Sequence, residues 1–399
     1  MNTSIPRRVV TGTALALALS AVLTACGSAD GSSSETKAAD QAPTTRAAVK
    51  DPLVATFDGG LYILDGESLK AAGTIELPGF NRVNPAGDDS HVVVSTDAGF
   101  RFLNAGEQTL TDITYQGAKP GHVVRHAGKT VLFTDGTGEV NVFDPADLSG
   151  GEKPEGRTYT SAKPHHGVAI ELSNGELLST LGTEEKRTGA VVLDKNNKEL
   201  KRSENCPGVH GEAAAKGEAV AFGCQDGVLI YQDGAFTKVE SPDAYGRIGN
   251  QAGSDTSAVL LGDYKTDPDA ELERPTRVSL IDTETARLRL VDLGTSYSFR
   301  SLGRGAHGEA LVLGTNGTLH VIDPRTGKIE KKIPVVGEWQ EPLDWQQARP
   351  TLFVRGHTAY ISEPGKRKLH AVDIESGDRI ASVTLPKSTN ELSGVTGAH

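Results

Sequence analysis

An all-β fold follows from three observations on the 399-residue chain. Strand-and-turn segments recur at a period of about 44 residues. The chain holds 46 Gly and 19 Pro against 2 Trp and 1 Met, which favours short strands and tight turns over a Leu/Met helical core. The two ends of the globular part carry complementary pieces of one repeat. Together these predict a single β-propeller of eight blades over residues 51–399, with seven blades as the alternative.

The clearest copies of the repeat are Gly317 to Pro334 and Lys368 to Pro386. Each is a strand, an Asp-x-x-[ST]-Gly turn (Asp323 to Gly327, Asp373 to Gly377) and a second strand. The Asp and Ser/Thr side chains can bond the turn backbone, and the Gly supplies a positive φ. Weaker copies centre on Asp65, Asp144, Asp194 and Asp282. Blades are expected at 80–113, 121–160, 165–203, 209–241, 246–293, 299–335 and 345–386. The segment 53–78 supplies three more strands but no innermost one, which Glu391 to His399 can provide. Pairing the termini in one blade closes the ring and removes exposed edges. The hairpin spelling is similar to the YVTN family of propeller repeats, a likeness that implies a fold and not a chemistry.

Ahead of the repeats, Arg7 and Arg8 precede an apolar stretch from Val9 to Leu23, too short for a permanent membrane helix. Residues 1–25 read as an export signal. Leu23-Thr24-Ala25-Cys26-Gly27 resembles the lipobox of bacterial lipoproteins, which implies cleavage before Cys26 and a lipid on its sulfur. The alternative is an ordinary secretory cleavage site with an incidental Cys. Residues 26–50 then form the lipidated Cys and a Ser/Ala/Thr-rich tether, and the propeller is expected outside the cytoplasmic membrane, held to it by lipid alone. Removal of Arg7 and Arg8 with no acid takes the net charge from −11 to −13. That balance, with no basic stripe, argues against a nucleic-acid partner.

Innermost strands line the channel of a propeller, so the segment leading into each one is where chemistry is expected. Three successive blades begin alike: Pro120-Gly-His122, Pro164-His165-His166-Gly and Pro207-Gly-Val-His210-Gly-Glu212. His122, His166 and His210 are separated by one repeat length each, so three imidazoles should converge at equal height on the channel axis. A satisfied structural cluster is the bland alternative. The corresponding positions elsewhere are Phe80, Arg247 and Phe299, which confines the histidines to one side. Imidazoles without a carboxylate cage suit zinc or copper better than calcium or magnesium, and three leave a fourth position open. His165 is a competitor or supplement to His166, and Glu212 is a possible outer-shell or fourth ligand. His91, His126, His307 and His357 fall near turns on the far face and are expected to be solvated.

Cys206 and Cys224 belong to the same face of one blade. In an oxidising compartment a disulfide is the favoured reading, and zinc thiolate ligation the lesser one. The segments Pro164-His-His-Gly-Val, Cys206-Pro-Gly-Val-His210-Gly-Glu-Ala and Phe222-Gly-Cys224 resemble the AztD family of exported zinc metallochaperones. The resemblance implies zinc bound at the channel mouth and passed directly to the solute-binding protein of a zinc ABC transporter. The His-x-Asp-x-His motif of some members is absent here, which makes the channel cluster the main candidate.

Three functions therefore stand: a non-enzymatic zinc chaperone acting as a monomer, a zinc-dependent hydrolase or lactonase using the same histidines, and a YVTN-type scaffold that binds no metal. Only Glu212 offers itself as a general base. Quinone-dependent dehydrogenases also use eight blades but dock them through recurring Trp, and this chain has two, Trp339 and Trp345.

Overall fold

A computed structural model describes residues 47–396. The signal segment 1–25, Cys26 and most of the tether lie outside the described residues, as do 397–399. Eight sheets, each a four-stranded antiparallel meander and one with a fifth strand added in parallel, are present among the described residues, as the repeat predicts. Blade one is closed by Thr389–Gly394 as its innermost strand, followed by Leu53–Phe57, Gly60–Leu64 and Ala71–Glu76. The closing register pairs Leu53 with Gly394, Ala55 with Leu392 and Phe57 with Thr389. The remaining blades run in chain order from Arg82 to Gln116, Pro120 to Thr160, Ala169 to Ser203, His210 to Glu240, Gln251 to Asp292, Leu302 to Pro334 and Leu352 to Thr384.

Burial explains the strand spelling. Second strands such as Lys129–Thr134 (KTVLFT) are buried almost throughout, because both faces meet neighbouring blades. Outermost strands such as Gly156–Thr160 alternate exposed and half-buried residues. Between blades three, four and five the packing is apolar: Phe133, Val140 and Val142 join Ile170, Leu178, Val220 and Phe222 in one cluster. The Asp turns work as their spelling predicts. Asp323 accepts from the Arg325 and Thr326 amides at 2.8 and 2.9 Å, and Gly327 sits at φ +74°.

Blade six departs from expectation. Its innermost strand is only Gln251–Ala252, because Gly246 pairs in parallel with Asp226 of blade five. The residues between are held as a loop by Asp263, whose carboxylate accepts from the Gly249 and Asn250 amides at 2.6 and 3.0 Å.

Candidate metal centre

The chain enters each innermost strand at one face of the ring, the channel mouth. His122 lies in Pro120–His126, His166 in the loop before Ala169–Glu171, and His210 opens His210–Ala215. The structure brings these three together: one ring nitrogen from each lies within 4.8 Å of the others. Ring centroids are 5.2 Å apart for His122 and His166, 5.6 Å for His122 and His210, and 4.9 Å for His166 and His210. His166 is the exposed member, and the other two are half-buried.

Outer contacts set the tautomers. The Gly249 carbonyl can only accept, so His210 donates from Nδ1 to it at 2.5 Å. The Asp135 carboxylate faces His166 Nδ1 at 2.5 Å and also accepts from the Gly167 amide at 3.3 Å. Both rings thereby carry their proton on Nδ1 and turn Nε2 toward each other at 3.0 Å. With both rings neutral, two Nε2 lone pairs face each other there, and a shared cation or a shared proton between them satisfies both. Burial, reinforced by His210 and His166, holds His122 well below the usual imidazole range. Burial, with His166 next, pulls His210 down to about 3. These two imidazoles are neutral at physiological pH and so are competent donors.

Local backbone permits this approach. Gly211 takes φ +68°, and a Cβ there would lie 2.7 Å from the Gly249 carbonyl that orients His210. A Cβ on Gly121 would meet the Asp135 carboxylate at 2.1 Å.

Two expected members are placed elsewhere. His165 is buried and turned away: its Nδ1 lies 2.9 Å from the Lys163 carbonyl, its Nε2 3.0 Å from the Thr180 hydroxyl, and its ring meets Phe133 edge-on at 5.3 Å. With both nitrogens occupied it is a packing residue and no ligand. Glu212 is separated from His210 by a bulge, so strict alternation fails between them. It lines the channel beneath, beside Gln251 and Ile170, where burial raises its carboxyl to about 8. It therefore stands outside the three-histidine group.

The expectation for the far-face histidines also divides. His91 is buried against Asp88 at 2.6 Å and His126 is largely buried against Glu218 at 2.9 Å, so neither is solvated. His307 and His357 are exposed. Cys206 and Cys224 form the expected disulfide, both fully buried. Asp135, the Gly249 carbonyl and Asp263 were not legible as partners of the histidines. The available signal was the shared place of Asp135 and Asp263 just after the second strands of their blades. On another part of the rim Phe80 lies edge-on to the exposed Trp345 at 5.1 Å.

No family model matches the chain. The zinc chaperone AztD of Citrobacter koseri is 26% identical over 325 residues, covering 77% of this chain and 75% of that protein. A structure of apo AztD from Citrobacter koseri superposes with a TM-score of 0.74 at 21% identity, covering 87% of this chain and 98% of the other. The dihydro-heme d1 dehydrogenase NirN shares the fold more distantly, with a TM-score of 0.57 at 11% identity over 87% of this chain and 75% of the other. The fold thus serves a chaperone and an enzyme alike, and function must be argued from the site. In sequence and in fold, the chain is similar to the zinc chaperone AztD.

Proposed function

We propose that this protein is an extracytoplasmic zinc chaperone, tethered through Cys26, that carries zinc on His122, His166 and His210 and delivers it to the solute-binding protein of a zinc ABC transporter. The observation that carries the reading is the approach of His166 Nε2 and His210 Nε2 to 3.0 Å, with the half-buried His122 beside them in one group of ring nitrogens. Ligand nitrogens on a tetrahedral zinc stand about 3.3 Å apart, given metal–nitrogen distances of about 2.0–2.1 Å. The similarity to a protein named as a zinc chaperone supports the choice of metal.

Zinc here is cargo. Three imidazoles leave one coordination position toward the exposed His166 side. A donor from the partner enters there before the histidines release, so the ion changes owner by ligand exchange. Arg187 and Arg247 lie near enough to lower the His210 pKa, and they favour an anionic incoming donor such as a carboxylate. Against the hydrolase reading stands the place of Glu212, the general base expected from the sequence: it lies outside the three-histidine group, and burial raises its carboxyl to about 8.

Equilibrium dialysis followed by metal analysis tests the site, and mixing the loaded protein with the partner's metal-free solute-binding protein tests delivery. Loss of the mouth-bound zinc equivalent in the His122→Ala/His166→Ala/His210→Ala variant is expected. Full retention of that equivalent would sink the assignment.

A further inference from the structure

We propose a second divalent-metal site on the far face of the propeller, formed by His307, His357 and Glu375. His307 sits in the turn between the first two strands of blade seven, Leu302–Arg304 and Ala310–Leu313. His357 occupies the matching turn of blade eight, between Leu352–Arg355 and Thr358–Glu363. Glu375 lies in the turn joining that blade's outer strands, Lys368–Asp373 and Arg379–Thr384. All three turns open on the face opposite the channel mouth, because successive antiparallel strands return to alternate ends of the blade.

One oxygen organises the group. Glu375 Oε1 lies 3.3 Å from His307 Nε2 and 3.2 Å from His357 Nδ1, and the two rings are 5.1 Å apart. Donor atoms from all three residues fall within 4.8 Å of one another. Two nitrogens and one carboxylate oxygen around a tetrahedral zinc are separated by about 3.3 Å, so both oxygen–nitrogen spacings match without rearrangement. Two imidazoles with a single carboxylate select zinc, or copper and nickel, over calcium and magnesium. The remaining position faces solvent, since all three side chains are more than half exposed.

The ligands come from two blades, so an ion here cross-links blade seven to blade eight. Without the ion, the same atoms form a surface His–Glu–His contact of small energetic consequence. This site shares no residue with the mouth cluster, and either can fail without the other.

The test is zinc stoichiometry of the purified full chain by equilibrium dialysis, with five proteins compared. Wild type is expected to bind two equivalents. The mouth variant His122→Ala/His166→Ala/His210→Ala keeps one, and His307→Ala/His357→Ala also keeps one. The five-fold variant binds none. Glu375→Gln, which preserves the turn, is expected to weaken the far-face equivalent at least tenfold. Unchanged stoichiometry in His307→Ala/His357→Ala, with circular dichroism confirming the fold, overturns the proposal. So does zinc-free mouth variant protein.

Discussion

His166 and His210, one repeat apart in sequence, meet through Nε2 at 3.0 Å only because each ring is pinned from behind. Asp135 holds the first and the Gly249 carbonyl the second. The carboxylate also fixes which His166 nitrogen points into the site. Asp135→Asn is therefore expected to weaken zinc binding by roughly 10- to 100-fold while leaving stoichiometry at saturation intact. Competition against a chromophoric chelator measures it, and an unchanged affinity would mean that His166 needs no orienting partner.

The disulfide acts on the same site from another direction. Cys206 lies in the segment leading to His210, and its amide bonds the Thr188 carbonyl of the preceding blade at 3.0 Å. Closing the 18-residue separation to Cys224 restricts the unfolded chain by about 3 kcal/mol. Cys206→Ala/Cys224→Ala should lower the denaturation midpoint by an equivalent amount and reduce zinc affinity without abolishing it. Chemical denaturation with and without zinc separates the two effects.

How far this architecture can be read in advance depends on period. The blade count and the convergence of His122, His166 and His210 are periodic properties: equal offsets in equal blades impose equal height. Asp135 and Gly249 are not, since each serves a histidine in a neighbouring blade through contacts of 31 and 39 residues that no repeat encodes. The His307, His357 and Glu375 group escapes for a related reason. It joins two inner turns to one outer turn, so its members hold no common register. His165 misleads because it belongs to the same short Pro-His-His-Gly segment as His166, yet its ring fills a pocket against Phe133 and Thr180.

His320 sets a pH dependence for the fold. It is fully buried in Thr318–Ile322, neither ring nitrogen has a hydrogen-bond partner among the described residues, and burial followed by the nearby Lys332 lowers it to about 4. The unfolded chain binds a proton near the ordinary value of 6.5, which the folded protein refuses. Its stability contribution is thus complete above pH 6.5 and is lost as pH falls through 4. Metal-free protein should melt progressively lower across that window, and His320→Leu should flatten the decline while leaving stability at pH 8 equal or higher. Thermal melts at pH 4 to 8 decide it, and identical slopes in the two proteins would remove His320 as the cause.

Ring closure carries a buried charge pair as well as a strand. Glu391, in the closing strand Thr389–Gly394, meets Arg300 at 2.6 Å and Arg82 at 3.4 Å. Arg300 is almost fully enclosed, and burial brings it down to about 10 despite that partner. Losing Glu391 leaves the guanidinium enclosed with, among the described residues, only the Asn390 and Trp345 oxygens to receive it. Removing one member of such a pair typically costs about 3–5 kcal/mol, whereas replacing both with apolar groups is often neutral. Glu391→Ala is accordingly expected to lower the unfolding midpoint sharply. Adding Arg300→Met should recover at least half of the loss, because no unpaired charge then remains inside. The measurement is denaturant unfolding of the two variants against wild type. A neutral Glu391→Ala would show that strand pairing between Leu53–Phe57 and Thr389–Gly394 closes the ring without help from the charges.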